Sequence, residues 1–147
     1  MALKLNYKFI FLIFSIFYIF SCAEDKKNNE DAIESTQKLV SSSWMVIDLN
    51  GITSFTRNPS IHINLEQNKI SGSTSCNKYF GSLTVENNML STTNIASTKM
   101  MCNDISIEDT FIKFINQTLY IEIKNGQLNL YDVEGKLVIK CSPLVED

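Results

Sequence analysis

The sequence has few of the side chains that bind zinc or act as a general base. His62 is the only histidine, and the four cysteines include no C-x-x-C pair. The common zinc sites need closely spaced cysteine and histidine ligands, so this composition argues against them. A catalytic thiol needs a base beside it, and His62 stands on the polar side of an alternating stretch, where a solvated histidine is the ordinary case. We therefore predict no metal site and no cofactor.

The acidic residues do not predict a catalytic pair of carboxylates either. Glu108 and Asp109 are neighbours in a segment with helical periodicity. Side chains that face each other on a helix are three or four residues apart, so these two carboxylates cannot work as a pair. Without a nucleophile, a base or paired carboxylates, we predict that the protein is not an enzyme.

The sequence also lacks a cluster of basic residues. It has 13 Lys and Arg against 16 Asp and Glu, and the basic residues are scattered. Without residues 1–21, 11 basic residues remain against 16 acidic ones, a formal charge of −5. Binding to phosphates needs a concentrated positive field, so we exclude a nucleic-acid partner.

Only one long apolar run occurs, from Phe9 to Phe20, and it is shorter than the ~20 residues of a membrane-spanning helix. It follows two lysines and precedes Ser21-Cys22, the layout of an export signal. The residues before Cys22 resemble a bacterial lipobox, with Phe20 in place of the usual small or aliphatic residue. We predict a lipoprotein signal peptide at residues 1–21 and lipid attachment at Cys22. An uncleaved membrane anchor is the alternative.

Residues 23–38, AEDKKNNEDAIESTQK, are mostly polar or charged and include no aromatic residue. Such a composition cannot bury enough apolar surface to fold, so we predict a flexible tether at residues 22–38. A domain at 39–142 and a tail at 143–147 follow. The expected location is the bacterial envelope, anchored by lipid at the outer membrane, on either face. We expect a monomer whose partners are the membrane, through Cys22, and an envelope protein or small ligand that the sequence does not identify.

The predicted domain consists of short alternating strands. Residues 60–66, SIHINLE, alternate between apolar and polar side chains, which is typical of a half-buried strand. Asn87-Asn88 and Asn125-Gly126 separate apolar stretches and predict hairpin turns. The hairpins indicate a sheet built mainly from sequential antiparallel strands.

One segment predicts an amphipathic helix. Ser106 is a candidate N-cap, and the helix should fade near Thr118. Its apolar stripe is formed by Ile107, Phe111, Phe114 and Ile115. We therefore predict a mainly β fold of the α+β class, an antiparallel meander sheet curled into a partial barrel with this helix covering it. In the last strand, Leu137 and Ile139 should share a face.

Two stretches carry a resemblance to a known family. Residues 70–90, ISGSTSCNKYFGSLTVENNML, and residues 96–102, ASTKMMC, resemble the META domain of HslJ-type bacterial lipoproteins. The resemblance covers roughly residues 40–141. It implies a compact β-rich domain, an envelope location and an association with heat and novobiocin tolerance, and it brings no catalytic activity, cofactor or ligand. The residues that carry it are Gly72, Cys76, Asn77, Gly81, Thr98, Met100 and Cys102, with Glu108 as a further candidate.

Cys76-Asn77 admits three interpretations. In the first, which we favour, the motif is structural, and Asn77 holds a turn bracketed by Gly72 and Gly81. In one version of this interpretation, Cys76 also pairs with Cys102 in a disulfide that stabilises the fold by ~3 kcal/mol. A catalytic thiol is the second and is disfavoured for want of a base. The third is a recognition surface that contains Lys78, Tyr79, Phe80, Lys99 and Met101.

Apolar residues are more often buried than exposed, so we expect Phe80 and Met100 in the core. Cys141 should likewise be a small buried apolar residue. The sequence thus predicts a lipid-anchored, non-enzymatic META-domain protein of the envelope with a link to stress tolerance. The alternative is a small barrel-like module that binds an apolar small molecule or peptide.

Overall fold

The computed structural model describes Leu39 and residues 41–101 and 105–144. Within these ranges, eight strands and one long helix follow one another along the chain. The first five strands precede the helix, here called α1, and the last three follow it. The bounds are β1 Ser41–Leu49, β2 Ser60–Asn64, β3 Lys69–Ser73, β4 Lys78–Glu86, β5 Met89–Ser97, α1 Ile105–Gln117, β6 Tyr120–Lys124, β7 Gln127–Tyr131 and β8 Leu137–Pro143.

The strands form an antiparallel meander that closes on itself. Each strand pairs with its neighbours in chain order, and β1 pairs with β8 to complete the ring. The ring is not even, because β5 and β6 share only the pair Met89 and Tyr120, whereas β4 and β5 pair along most of their length. The predicted meander, curled into a partial barrel with one helix against it, is confirmed.

The tight turns follow the sequence. Asn87 and Asn88 both have positive φ angles, and so do Asn125 and Gly126. Positive φ at both central residues defines the type I′ turn, whose twist matches that of the flanking strands. Both predicted hairpin turns are therefore present, between β4 and β5 and between β6 and β7.

Side chains from every strand and from α1 fill the inside of the ring. Trp44, Tyr79 and Phe111 are the largest of them, and the rings of Tyr79 and Phe111 contact each other with centroids 5.2 Å apart. Full burial of an aromatic or aliphatic side chain contributes ~1.5–3 kcal/mol relative to exposure. The remaining buried apolar residues, mostly Leu, Ile and Val, surround this aromatic centre.

Two details differ from the sequence predictions. Helix α1 begins at Ile105, so Ser106 lies inside its first turn and is not its N-cap. In β8, Val138 and Ile139 are both buried and Leu137 is partly exposed. The cause is a register shift, in which Tyr131 pairs with Leu137 while Leu130 pairs with Ile139, so Val138 is an extra residue.

Cys141 lies in the core, as predicted, and is a free thiol. Burial raises its pKa well above the ordinary range, because the apolar surroundings disfavour the thiolate. A reactive cysteine needs a lowered pKa and access to solvent, so Cys141 is a packing residue.

Several predictions concern residues outside the described ranges. These are the signal peptide at 1–21, the tether at 22–38, lipid attachment at Cys22, the part of the tail beyond residue 144, and Cys102. Among the described residues, no helix is long and apolar enough to cross a membrane.

Candidate functional site

The connection between β3 and β4 is a tight loop closed by backbone hydrogen bonds. The Thr74 N–H donates to the Asn77 carbonyl at 2.8 Å, and the Thr74 hydroxyl donates to the same oxygen at 3.2 Å. Ser75 takes a φ of 97°, which is uncommon for a residue with a side chain. The loop buries Thr74, Ser75 and Asn77, so the Asn77 side chain points away from bulk solvent.

The Asn77 side chain joins three parts of the chain. Its Oδ1 accepts from the Met100 N–H and from the Thr98 hydroxyl, both at 2.8 Å. Its Nδ2 donates to Glu108 Oε2 at 2.5 Å and to the Met100 carbonyl at 3.3 Å. An asparagine amide offers two donors and an oxygen with two lone pairs, so all of its hydrogen-bonding capacity is used. We call this arrangement of Asn77, Thr98, Met100 and Glu108 the Asn77 clamp.

Glu108 brings α1 into the clamp. Its second oxygen, Oε1, accepts from the Ser97 hydroxyl at 3.3 Å, so both carboxylate oxygens have protein partners. Glu108 also lies in the first turn of α1, where the helix dipole favours a negative charge. These contacts fix the start of α1 against the end of β5.

Thr98 ties the clamp to the sheet. Its hydroxyl accepts from the Lys78 N–H at 3.2 Å, and its own N–H donates to the Lys78 carbonyl at 3.0 Å. The structure therefore brings Asn77, Glu108 and the neighbouring residues Thr98 and Met100 together from three separate parts of the sequence. The side-chain polar groups of the clamp are each hydrogen-bonded to another protein group, so the clamp joins β4, α1 and the segment after β5.

The two glycines of the motif lie on either side of the turn, but within the strands and not in the loop itself. Gly72 is in β3, where a Cβ would lie 2.0 Å from the Ser60 carbonyl oxygen. Gly81 is in β4, at a register shift between Phe80 and Ser82, where a Cβ would meet the Ile95 side chain. At Gly72 the obstacle is the Ser60 backbone, so only glycine fits, whereas at Gly81 the closest atom is the end of the flexible Ile95 side chain.

The residues proposed as a recognition surface divide between surface and core. Tyr79 is buried, and its hydroxyl donates to the Ser60 carbonyl at 3.2 Å. Burial raises the pKa of Tyr79, and the nearby Cys141 adds to this shift. Tyr79 is therefore a core residue and not part of a binding surface.

Phe80 and Met100 contradict the expectation that they lie in the core. Phe80 is 62% exposed and Met100 is 57% exposed, while Met101 is 100% exposed. Side chains alternate along a strand, so the burial of Tyr79 turns Phe80 outward. Lys78 and Lys99 are exposed as well. The surface beside the clamp thus presents apolar and basic side chains together.

A groove of about 420 Å³ adjoins the clamp. Lys99 and Met101, two residues of the recognition surface suggested by the sequence, line this groove. Its other wall is the start of α1, where Ile105 and Ile112 carry no local sign of a site in the sequence. Its walls are mostly apolar, and Lys99 and Asp109 supply exposed charges. The lining residues are Asn77, Ser97, Lys99, Met100, Met101, Ile105, Glu108, Asp109 and Ile112.

A second and larger cleft, of about 700 Å³, lies where β5 and β6 are weakly paired. Its walls include the last turn of α1 and the turn between β7 and β8. They mix apolar residues such as Phe114 and Leu119 with the charged Lys113 and Glu134. No motif residue reaches this cleft.

His62 does not form a catalytic arrangement with the motif. It faces outward between the buried Ile61 and Ile63, and its Nδ1 lies 2.8 Å from the Ser43 hydroxyl oxygen. In the part of the chain that the structure describes, no group of three or more His, Cys, Asp and Glu residues is placed to hold a metal ion.

The chain matches a known protein family. A family model described as META domain matches residues 37–142, close to the domain predicted at 39–142. No curated protein matches the chain.

Solved structures with the same fold exist. An NMR structure of a protein from Burkholderia xenovorans has a TM-score of 0.62 and 18% identity, and covers 76% of this chain and 87% of its own. A crystal structure of a DUF4847 family protein from Bacteroides vulgatus has a TM-score of 0.58 and 14% identity, and covers 76% of this chain and 99% of its own. At these identities the likeness concerns the fold alone.

Proposed function

The chain belongs to the META domain family, and from that premise we propose that it is a lipid-anchored, non-enzymatic protein of the bacterial envelope that contributes to stress tolerance. The observation that carries the non-enzymatic part is the Asn77 clamp. Its amide and the Glu108 carboxylate are fully engaged in holding β4, α1 and the segment after β5 together. A catalytic group needs hydrogen-bonding capacity left for a substrate, and the amide and carboxylate use theirs on protein partners.

Lipid anchoring rests on the sequence before Cys22. A short basic segment, an apolar run and Ser21-Cys22 are what a lipoprotein signal peptide requires. An acylated Cys22 followed by a polar segment would hold the folded domain at a membrane while leaving it in water.

Replacing Cys22 with alanine is expected to abolish acylation. In cells grown with radiolabelled palmitate, the wild-type protein should carry label and move into the detergent phase of Triton X-114, and the Cys22→Ala variant should do neither. Ser54→Ala, a change in an exposed loop, serves as the matched control and should keep the label. In a deletion strain, only proteins that keep Cys22 should restore growth at high temperature or with novobiocin. Full restoration by Cys22→Ala would contradict the role of the anchor.

We also propose a disulfide between Cys76 and Cys102. Cys76 precedes Asn77, whose amide holds both backbone polar groups of Met100, two residues before Cys102. The clamp therefore holds the chain two residues before Cys102 against the residue that follows Cys76, which supports the pairing. Closing a loop of this length stabilises the fold by ~3 kcal/mol in the chain-entropy model.

Peptide mapping tests this pairing. Non-reducing digestion of the alkylated mature protein should yield a peptide that joins Cys76 to Cys102. Cys141 is buried, so it should be alkylated only after unfolding. Rapid alkylation of Cys76 in the folded protein would exclude the disulfide.

A second candidate function is binding of an apolar small molecule or peptide. The groove beside the clamp favours it, because Met100, Ile105 and Ile112 provide apolar walls. The inside of the ring is a poorer place for a ligand, since side chains from all strands pack there. This candidate predicts saturable binding of an apolar peptide at the groove.

A further inference from the structure

The larger cleft, beside the weak pairing of β5 and β6, is formed by four separate parts of the chain. They are Asn50 after β1, residues 90–92 of β5, residues 113–119 from the end of α1 onward, and residues 132–136 between β7 and β8. Its volume of about 700 Å³ lies within the ~300–1,000 Å³ of small-molecule sites, and the mouth of a barrel is a common place for such a site. It shares no lining residue with the groove beside the clamp.

Three side-chain amides line this cleft, those of Asn50, Asn116 and Gln117. All three residues are exposed, and within the part of the chain that the structure describes none of these amides is bonded to another residue. Asn50 is held by its own N–H, which donates to the Val138 carbonyl at 2.9 Å, and the other two lie in the last turn of α1. The Asn77 amide uses its whole capacity inside the fold, whereas each of these amides keeps two donors and an accepting oxygen for a ligand. We call this site the amide cleft.

The charges of the amide cleft balance one another. Lys113 and Lys136 line it together with Asp132 and Glu134. One oxygen of Asp132 already accepts from the N–H groups of Glu134 and Lys136, at 3.0 and 2.9 Å, and so closes the turn between β7 and β8. The ammonium of Lys113 lies 5.6 Å from the centre of the Phe114 ring. Two positive and two negative side chains give no net field that would select an anion or a cation.

Apolar side chains stand between the polar groups. Val133 is 75% exposed, and Phe114 and Leu119 are partly exposed. A purely apolar ligand would remove the amides from water without giving them partners, which costs affinity. A saccharide carries hydroxyls that both donate and accept, and its ring also has C–H faces that pack on apolar surface. A peptide would gain its main contacts from backbone pairing with a strand or from apolar anchor pockets, whereas the free groups here are side-chain amides.

We propose that the amide cleft binds a short, uncharged saccharide. The amides of Asn50, Asn116 and Gln117 exchange hydrogen bonds with its hydroxyls, and its C–H faces rest on Phe114 and Val133. This site goes beyond the proposed function, because it requires neither the lipid anchor nor the groove beside the clamp.

The test is a titration of the mature chain, residues 22–147 with Cys22→Ser, followed by amide NMR spectra. N,N′-diacetylchitobiose and maltose are the probes. At least one of them should give saturable shifts, confined to Asn50 and residues 90–92, 113–119 and 132–136. Chitobiose, the deacetylated and cationic form of the first probe, should bind no more tightly, because the cleft has no net charge.

A double variant, Asn116→Ala with Gln117→Ala, should weaken saccharide binding about tenfold, because hydrogen bonds from two amides are lost. Gln67→Ala is the matched control. Gln67 is an exposed amide in the turn between β2 and β3, away from the cleft, so this variant should bind like the parent. All of the replaced side chains are exposed, so every variant should keep the parent unfolding curve, which separates binding from folding.

The absence of saturable shifts with both probes would overturn the inference, and so would equal binding by the parent and the double amide variant. Tighter binding of chitobiose would show that the cleft selects a cation. If acetylated and amidated trialanine shifted the cleft residues while neither saccharide did, a peptide would be the occupant. None of these outcomes bears on the anchor, because palmitate labelling of Cys22 is measured separately.

Discussion

Replacing Asn77 with alanine is expected to lower the free energy of unfolding by about 3 kcal/mol. The substitution removes four hydrogen bonds. The three of 2.8 Å or shorter contribute ~1 kcal/mol net each, and the fourth, at 3.3 Å, contributes little. It also leaves the Met100 N–H and one oxygen of Glu108 without these protein partners, in a part-buried site. Urea unfolding followed by circular dichroism measures the loss.

Asn116→Ala is the matched control for this prediction. Asn116 is exposed in the last turn of α1, so its replacement should change the free energy of unfolding by no more than about 0.5 kcal/mol. If Asn77→Ala behaves like Asn116→Ala, the clamp does not support the fold.

Asn77→Asp removes the two N–H donors of the side-chain amide and keeps an oxygen that can accept a hydrogen bond. The new side chain still accepts from Met100, but it faces the Glu108 carboxylate with a second carboxylate. Burial and like charge raise the pKa of the introduced group above its unfolded value, so the folded protein binds the additional proton more strongly. Stability should therefore be recovered as the pH falls from 7 to about 4. Adding Glu108→Gln should relieve the repulsion at pH 7.

Local patterns made much of the fold predictable from sequence. The strand alternation, the turns at Asn87-Asn88 and Asn125-Gly126, and the apolar stripe of α1 each depend on residues close in the chain. Phe111 and Ile115, two members of that stripe, are the helix residues buried in the core. Sequential hairpins then leave few topologies other than a meander.

The site was less predictable because its contacts join distant residues. Asn77 and Glu108 are 31 positions apart, and nothing near either residue shows that they meet. Tyr79 and Phe80 are both aromatic, so composition could not decide which one faces the core. The strand register decides it, by pairing Tyr79 with Gly72 and Phe80 with Ser71.

The need for glycine at position 72 gives the second large prediction. Gly72→Ala should lower the free energy of unfolding by about 4 kcal/mol, because overpacking and backbone strain add. The new Cβ would lie 2.0 Å from the Ser60 carbonyl oxygen and 2.8 Å from its carbon, at a φ of +156°. Ser60 cannot yield easily, since it pairs with Ser73 across the sheet and also accepts from the Tyr79 hydroxyl.

Gly51→Ala isolates the backbone part of this cost. Gly51 has a φ of +91°, but a Cβ added there would have no atom within 4 Å apart from its own chain neighbours, so only conformational strain of about 1 kcal/mol is expected. Urea unfolding of both variants measures the difference. Equal losses at positions 51 and 72 would show that β2 and β3 can separate at little cost.

Gly81→Ala provides a case in which the obstacle is a side chain. Its Cβ would lie 2.4 Å from Ile95 Cδ1, the far end of a flexible group, and 3.0 Å from the Thr93 carbonyl. Ile95→Val removes that methyl, so it should restore part of the stability lost in Gly81→Ala. No second substitution can rescue Gly72→Ala in this way, because its obstacle is the Ser60 backbone, which cannot be shortened. Both glycine-to-alanine variants should be destabilised, but only Gly81→Ala should be rescued by a second substitution. Rescue therefore distinguishes a glycine that a neighbouring side chain requires from one that a neighbouring backbone requires.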